Sequence, residues 1–182
     1  MTHKPTLALA CSALMLSACV STTSYERQVP KTTTYQQLDA QLKTELAGDQ
    51  VQIRQLQNLI KLILSTALLF PEGGWEVSES GKATLAKVAP TLKGLSGQRI
   101  VVKGFTDDVP IGEALGKRFT NNVQLSKARA DAVAAVLIDQ GVPSALITTT
   151  GLGESHPVAS NATPAGRAKN RRVEVDIVEA PA

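Results

Sequence analysis

Cysteine and histidine are nearly missing from this chain: Cys11, Cys19, His3 and His156 are the whole supply, and only His156 lies beyond residue 19. A disulfide scaffold is therefore excluded. Charge of one sign is also lacking. The 19 Lys and Arg residues against 16 Asp and Glu give a formal charge of only +3, mild for a protein whose main task is to hold a phosphate backbone, so nucleic acid is not expected as a partner. Aromatics make up 3% of the chain. What remains is ordinary globular material: 182 residues, 43% hydrophobic and 19% charged, which excludes collagen-like and disordered classes. This length accommodates one domain of roughly 100 to 150 residues and some additional chain.

The N-terminus places Lys4 in a short polar stretch ahead of an apolar run over residues 7–18. That run falls short of the about 20 apolar residues that a membrane-spanning helix needs, and has the layout of a secretory signal peptide over residues 1–18. It ends in Leu16-Ser17-Ala18-Cys19, which resembles the lipobox of bacterial lipoproteins, where the Cys thiol is acylated and the peptide is cut just before it. The alternative is an uncleaved signal anchor. The resemblance implies lipidation of Cys19, palmitate among the acyl chains, and attachment by several chains, since a single chain gives only marginal membrane binding. By the same resemblance to bacterial lipoproteins, Val20 rather than Asp after the Cys implies sorting to the outer membrane, with the protein facing the periplasm. Cleavage would also remove His3 and Cys11. One acylated Cys and one His cannot then supply the three or four ligands of a zinc site or a Cys nucleophile.

Residues 19–34 are rich in Ser, Thr and Gln and include Pro30, which reads as a flexible, lipid-anchored linker; a strand docked on the domain is the alternative. Residues 35–59 read as a long helix, with Leu42, Leu46, Ile53 and Leu56 at a and d heptad positions and Asp49 interrupting them. Either it self-associates as a short coiled coil, making a homo-oligomer or engaging an envelope protein through residues 35–58, or it leans on the domain alone. Periodicity by itself would continue the helix to residue 64.

From residue 60 to 182 the pattern is that of a folded domain. Ser78 caps a helix carrying Leu85, Ala89 and Leu92, which Pro90 should bend or interrupt. A strand follows over 98–105, then a long loop over 107–121. A helix over 122–140 presents Ala130, Val133, Ala134, Leu137 and Ile138, and stops at Gly141 and Pro143. Residues 146–150 form a short strand. Residues 172–178 alternate Val173, Val175 and Ile177 against Glu174 and Asp176, predicting a strand with one wet face. The class is α+β, a mixed sheet with helices packed on it.

The motifs Gly104-Phe105-Thr106-Asp107, Asn122, Leu125-Ser126-Lys127-Ala128-Arg129-Ala130, Gly141-Val142, Gly151-Leu152-Gly153-Glu154, Pro157, Asn161, Gly166-Arg167 and Asn170-Arg171-Arg172-Val173-Glu174 occur in that order. This resembles the OmpA-like domain, a family that binds bacterial peptidoglycan without covalent attachment. The likeness runs from about residue 60 to 179, and the Thr106-Asp107-Asp108-Val109-Pro110-Ile111 version is most similar to the branch containing the flagellar motor protein MotB. The loop over 108–121 is longer than in many members. A stator is not implied, since the only apolar N-terminal run reads as a cleavable signal. The resemblance implies a βαβαββ domain whose first strand begins near Ile60.

It also implies that Asp107 and Arg129 grip diaminopimelate. That amino acid carries an ammonium and a carboxylate, so Asp107 suits the first and the planar fork of Arg129 the second. Thr106 and Asn122 would add neutral hydrogen bonds, and Arg172 a second positive charge. From the residues alone, an internal Asp107–Arg129 salt bridge tying loop to helix is the alternative. No metal, cofactor or catalytic residue is expected: Asp107 and Asp108 are adjacent and point apart, and Gly151-Leu152-Gly153-Glu154-Ser155 lacks the spacing of a nucleophile elbow. His156 reads as an exposed loop residue. The basic run Arg167, Lys169, Arg171 and Arg172 reads as a solvated face able to attract an anionic polymer. The expected function is to tether the outer membrane to the wall rather than to catalyse. The alternative is an accessory component of an envelope-spanning secretion or motility machine.

Overall fold

The computed structural model describes residues 32–180. The expected signal peptide, the lipidated Cys19 and most of the expected linker lie outside those residues. Thr32 begins the described chain as a helix cap, its hydroxyl accepting from the Tyr35 amide.

Period-two burial builds the sheet. Ile60, Leu62 and Leu64 of β2 (Leu59–Ser65), Ile100 and Val102 of β3 (Gln98–Gly104), and Val173, Val175 and Ile177 of β5 (Arg172–Glu179) all point to one face and are buried there. With β1 (Val51–Leu56) and β4 (Ile147–Gly151), the strand order is β1-β2-β5-β3-β4. All neighbours are antiparallel except β3 and β4. Short helices α3 (Thr66–Leu69), α5 (Glu113–Gly116) and α7 (Pro164–Asn170) occupy connections.

The helices α4 (Glu79–Lys93) and α6 (Asn122–Asp139) lay Leu85, Val88, Leu92, Val133 and Leu137 onto the apolar face of the sheet. Ser78 caps α4, accepting from the Gly81 amide at 3.1 Å. The helix continues through Pro90 to Lys93, without the one backbone donor that Pro90 lacks. The expected succession of strand, helix, strand, helix and two strands is present from β2 onward.

The expected long helix over residues 35–59 is absent. The chain instead forms α1 (Thr33–Gln41) and α2 (Lys43–Ala47), turns at Gly48 and Asp49, and enters β1. Asp49 takes φ 54, a left-handed conformation that ends a helix. β1 pairs antiparallel with β2 across the two-residue turn Gln57–Asn58, so the open hydrogen-bonding edge of β2 decides the outcome over a helical spacing that only four residues carried. The heptad leucines serve the domain itself. Leu38 and Leu42 are both 0% exposed within the central core, while Leu46 and Ile53 pack against it. Lys87 on α4 ion-pairs with Glu45 on α2 at 2.6 Å. Residues 32–59 therefore belong to the same folded unit as the chain from residue 60 onward, and the two leading helices lean on the domain.

Opposite the helices, the sheet carries charge. Glu174 and Asp176 are buried, where the alternation predicts a wet face. Lys61 on β2 reaches Glu174 at 2.5 Å, Lys103 on β3 reaches Asp176 at 2.7 Å, and Arg172 Nε reaches Glu174 at 2.8 Å. Flanking strands supply the cations that close over the two carboxylates.

Candidate functional site

Asp107 follows β3 at a point where the chain is clamped on both sides. The Phe105 amide donates to the Arg172 carbonyl at 2.9 Å and the Thr106 amide to the Gly153 carbonyl at 2.8 Å. Thr106 donates its hydroxyl to the Asp107 carbonyl at 2.8 Å, and Asn122, opening α6, donates to the Val109 carbonyl at 3.1 Å and more weakly to that of Asp107 at 3.5 Å. Thr106 and Asn122 thus hold the backbone of residues 107–109. Asp107 itself is buried. Its Oδ2 accepts from Arg171 Nη1 at 2.6 Å, and its Oδ1 has only a long contact, 3.4 Å, from the Val109 amide.

Arg129 reaches the same place from the second turn of α6, and close approach of helix and sheet brings it there. Gly104 and Gly151 stand side by side on β3 and β4. A Cβ at Gly104 would collide with the Ser126 carbonyl, and one at Gly151 with the Val123 carbonyl, so α6 lies against bare backbone. Arg129 is 6% exposed. Both Nε and Nη2 donate to the Gly74 carbonyl, at 3.0 and 2.8 Å, and the guanidinium lies 5.5 Å from the centre of the Phe70 ring.

No carboxylate stands within ion-pair distance of Arg129 among the described residues; Asp107 is paired with Arg171 instead. Burial lowers the Arg129 pKa to about 10, with Arg171 adding to the drop and Asp107 opposing it. Asp107, Arg129 and Arg171 therefore share one electrostatic neighbourhood with two positive charges and one negative. The internal Asp107–Arg129 salt bridge, the alternative reading of this pair, does not form.

Arg172 belongs elsewhere. Its side chain is directed to the outer face of the sheet, where it bonds Glu174, donates to the Asn170 and His156 carbonyls at 3.3 and 3.2 Å, and stacks 3.7 Å from the Phe105 ring centre. It lines two hollows of about 500 and 730 Å³ on that face. Neither is lined by Asp107 or Arg129. His156 is exposed, as expected, with φ 59. Among the described residues no cluster of three or more His, Cys, Asp or Glu could hold a metal, and no helix is long and apolar enough to cross a membrane.

The sequence model of the OmpA family matches residues 69–171. The chain belongs to the OmpA family. It is 36% identical over 139 residues to an Escherichia coli K12 protein named "Probable lipoprotein YiaD", covering 76% of this chain and 60% of that one. It is 38% identical over 120 residues to the peptidoglycan-binding protein ArfA of Mycobacterium tuberculosis, covering 66% of this chain and 35% of ArfA. The outer-membrane lipoprotein YfiB of Pseudomonas aeruginosa is 33% identical over 139 residues, with 73% and 79% covered. Among solved structures, the cell wall anchor of the T6SS from Pseudomonas aeruginosa superposes with a TM-score of 0.71 at 28% identity, covering 79% of this chain and 97% of that one.

Within this OmpA-family domain, the neighbour of Asp107 that sequence reasoning passes over is Arg171, read there as part of a solvated basic run. Successive residues entering a strand point to opposite faces. Arg171 thus falls beside Asp107, while Arg172 falls on the outer face. The signal was available in the phase of β5: Val173, Val175 and Ile177 face the helices, so Arg172 must face away from them. Phe70 and Gly74, which seat Arg129, leave no sequence signal of a role in the site.

Proposed function

We propose that this OmpA-family domain binds peptidoglycan non-covalently by gripping a diaminopimelate residue of the stem peptide. The observation that carries the reading is Arg129: a buried guanidinium, held by one carbonyl and an aromatic ring, with no carboxylate of its own. A buried charge left in that condition is costly unless something arriving from outside pairs with it. A ligand carboxylate is the matching group, and charge-assisted bonds of this kind contribute roughly 1.5 to 3 kcal/mol each. The ligand ammonium would take Asp107 Oδ1, which has only the long Val109 contact, while Arg171 keeps Oδ2. Thr106 and Asn122 hold the loop on which Asp107 is carried. ArfA, a relative named for peptidoglycan binding, supports the ligand class.

The wider reading is a lipoprotein whose acylated Cys19 holds the outer membrane while the domain holds the wall. The lipobox-like residues 16–19 support it, as does likeness to lipoproteins, one of them of the outer membrane. A second reading, a wall-binding component of an envelope-spanning machine, is favoured by the likeness to the T6SS cell wall anchor.

Sedimentation with isolated walls tests the ligand. The purified chain should pellet with walls cross-linked through diaminopimelate and stay in solution with walls carrying lysine at that position. Equal pelleting with both would remove diaminopimelate from the account, and no pelleting with either would remove wall binding.

A further inference from the structure

The loop over residues 108–121 and the loop over residues 71–78 are joined by aromatic contact immediately beside the Arg129 seat. Trp75 follows Gly74, whose carbonyl takes both Arg129 hydrogen bonds. Phe119, buried, meets the Trp75 ring edge-on at 5.4 Å between centroids. Arg118 lies over the same ring, 4.9 Å from its centre. Trp75 is half-buried and Arg118 exposed. Glu72 and Glu76 stand close to Trp75 in the chain, yet neither pairs with Arg118; no carboxylate does among the described residues. A guanidinium held over an indole by cation–π attraction is restrained in position, and the Arg118 side chain is exposed, so its donors are open to a ligand.

The geometry points to a second anion subsite, formed by Arg118 on its Trp75 platform, that takes a carboxylate one residue along the ligand from the group held by Arg129. Arg129 donates to the Gly74 carbonyl and Arg118 lies over the ring of the next residue, Trp75, so one short stretch of the 71–78 loop carries a contact to each guanidinium. The ligand chemistry that fits is a peptide stem in which diaminopimelate is preceded by a glutamyl residue joined through its side-chain carboxyl. The α-carboxylate of that residue remains free. This inference rests on the diaminopimelate reading above and adds what the protein reads beside it.

Titration calorimetry on the intact chain separates the two. The ligands are free diaminopimelate, γ-glutamyl-diaminopimelate, and the same dipeptide with its glutamyl α-carboxylate converted to an amide. The wild type should bind the dipeptide about tenfold more tightly than free diaminopimelate, the effect of one charge-assisted contact. Arg118→Gln should lose that gain while binding free diaminopimelate as before, which also shows that the variant is folded. Amidation of the ligand should lose the same gain in the wild type and nothing further in Arg118→Gln, as a double-mutant cycle requires. A gain that persists in Arg118→Gln, or a wild type that does not distinguish the dipeptide from free diaminopimelate, overturns the second subsite and leaves the first intact. A wild type that binds none of the three ligands overturns the diaminopimelate reading, and the subsite with it.

Discussion

Arg129 and Arg172 are both buried arginines beside the same sheet, each stacked on a phenylalanine, and they have opposite situations. Arg172 uses Nε on Glu174 and its other nitrogens on two carbonyls, with Phe105 beneath. Arg129 has one carbonyl, Phe70 and no carboxylate. In the first case the fold compensates the charge; in the second it desolvates the charge and leaves compensation to something else. Burial alone does not separate them, at 3% and 6% exposed. The inventory of partners does: Arg172 is satisfied within the framework, whereas Arg129 is the one proposed to meet a ligand.

The largest expected effect breaks the comparison from the framework side. Arg172→Ala leaves Glu174 buried with Lys61 as its remaining cation. Removal of one member of a buried ion group costs about 3 to 5 kcal/mol, so the denaturant midpoint should fall steeply. Wall affinity per folded molecule should be unchanged. A variant of normal stability with lost wall binding would return Arg172 to the site.

Arg129→Ala should do the reverse. Wall or diaminopimelate affinity should fall by more than tenfold, about 1.4 kcal/mol or more. Stability should stay level or rise, since an uncompensated buried charge is removed along with its two hydrogen bonds. Paired measurement of sedimentation and unfolding decides it, and a stability loss matching that of Arg172→Ala would mean that Gly74 and Phe70 already satisfy the charge.

Residues whose placement depends on the local chain were legible in the sequence, and those whose surroundings depend on a distant strand were not. Asp107 past a strand end, Arg129 in the second turn of α6 and the β2-to-β5 succession all stood in the motifs and periodicities. The β1 strand did not, because Ile53 and Leu56 keep a helical spacing while Val51 and Ile53 keep an extended one, and only pairing with β2 decides between them. Glu174 and Asp176 read as solvent-facing because the cations that bury them, Lys61 and Lys103, come from strands 113 and 73 residues away in sequence. The placement of Arg171, rather than Arg172, beside Asp107 is the same kind of effect at the scale of one residue.

Acid titration sharpens the framework side further. Burial pushes the Glu174 carboxyl up, but the hydrogen bonds from Lys61 and Arg172 outweigh it and hold the pKa below its ordinary 4.5. A carboxylate with a depressed folded pKa contributes stability that is complete above the ordinary value and is lost as pH falls through the folded one. Glu174→Gln should therefore lower stability near neutrality and flatten its decline below pH 4.5, read from unfolding midpoints across the acid range. An unchanged acid limb would mean that the cluster titrates elsewhere.

Arg171 stands between the two cases and should show the smallest effect on stability. Its side chain is 41% exposed and it pairs with Asp107 at 2.6 Å, so screening limits the pair to about 0 to 1 kcal/mol. Arg171→Gln should thus barely move the unfolding midpoint. Binding should weaken all the same, by a route that neither of the other arginines offers. With Arg171 gone, Asp107 loses its ion partner and Arg129 loses the positive charge that helps to lower its pKa. The two nearest opposite charges are then free to turn to each other, and an internal Asp107–Arg129 pair would occupy both ends of the zwitterion site. Restoring a cation with Arg171→Lys should recover most of the affinity if holding Asp107 away from Arg129 is what matters. If Arg171→Gln binds the wall as well as the wild type, Asp107 needs no holding, and the contrast between the arginines reduces to burial and partner count alone.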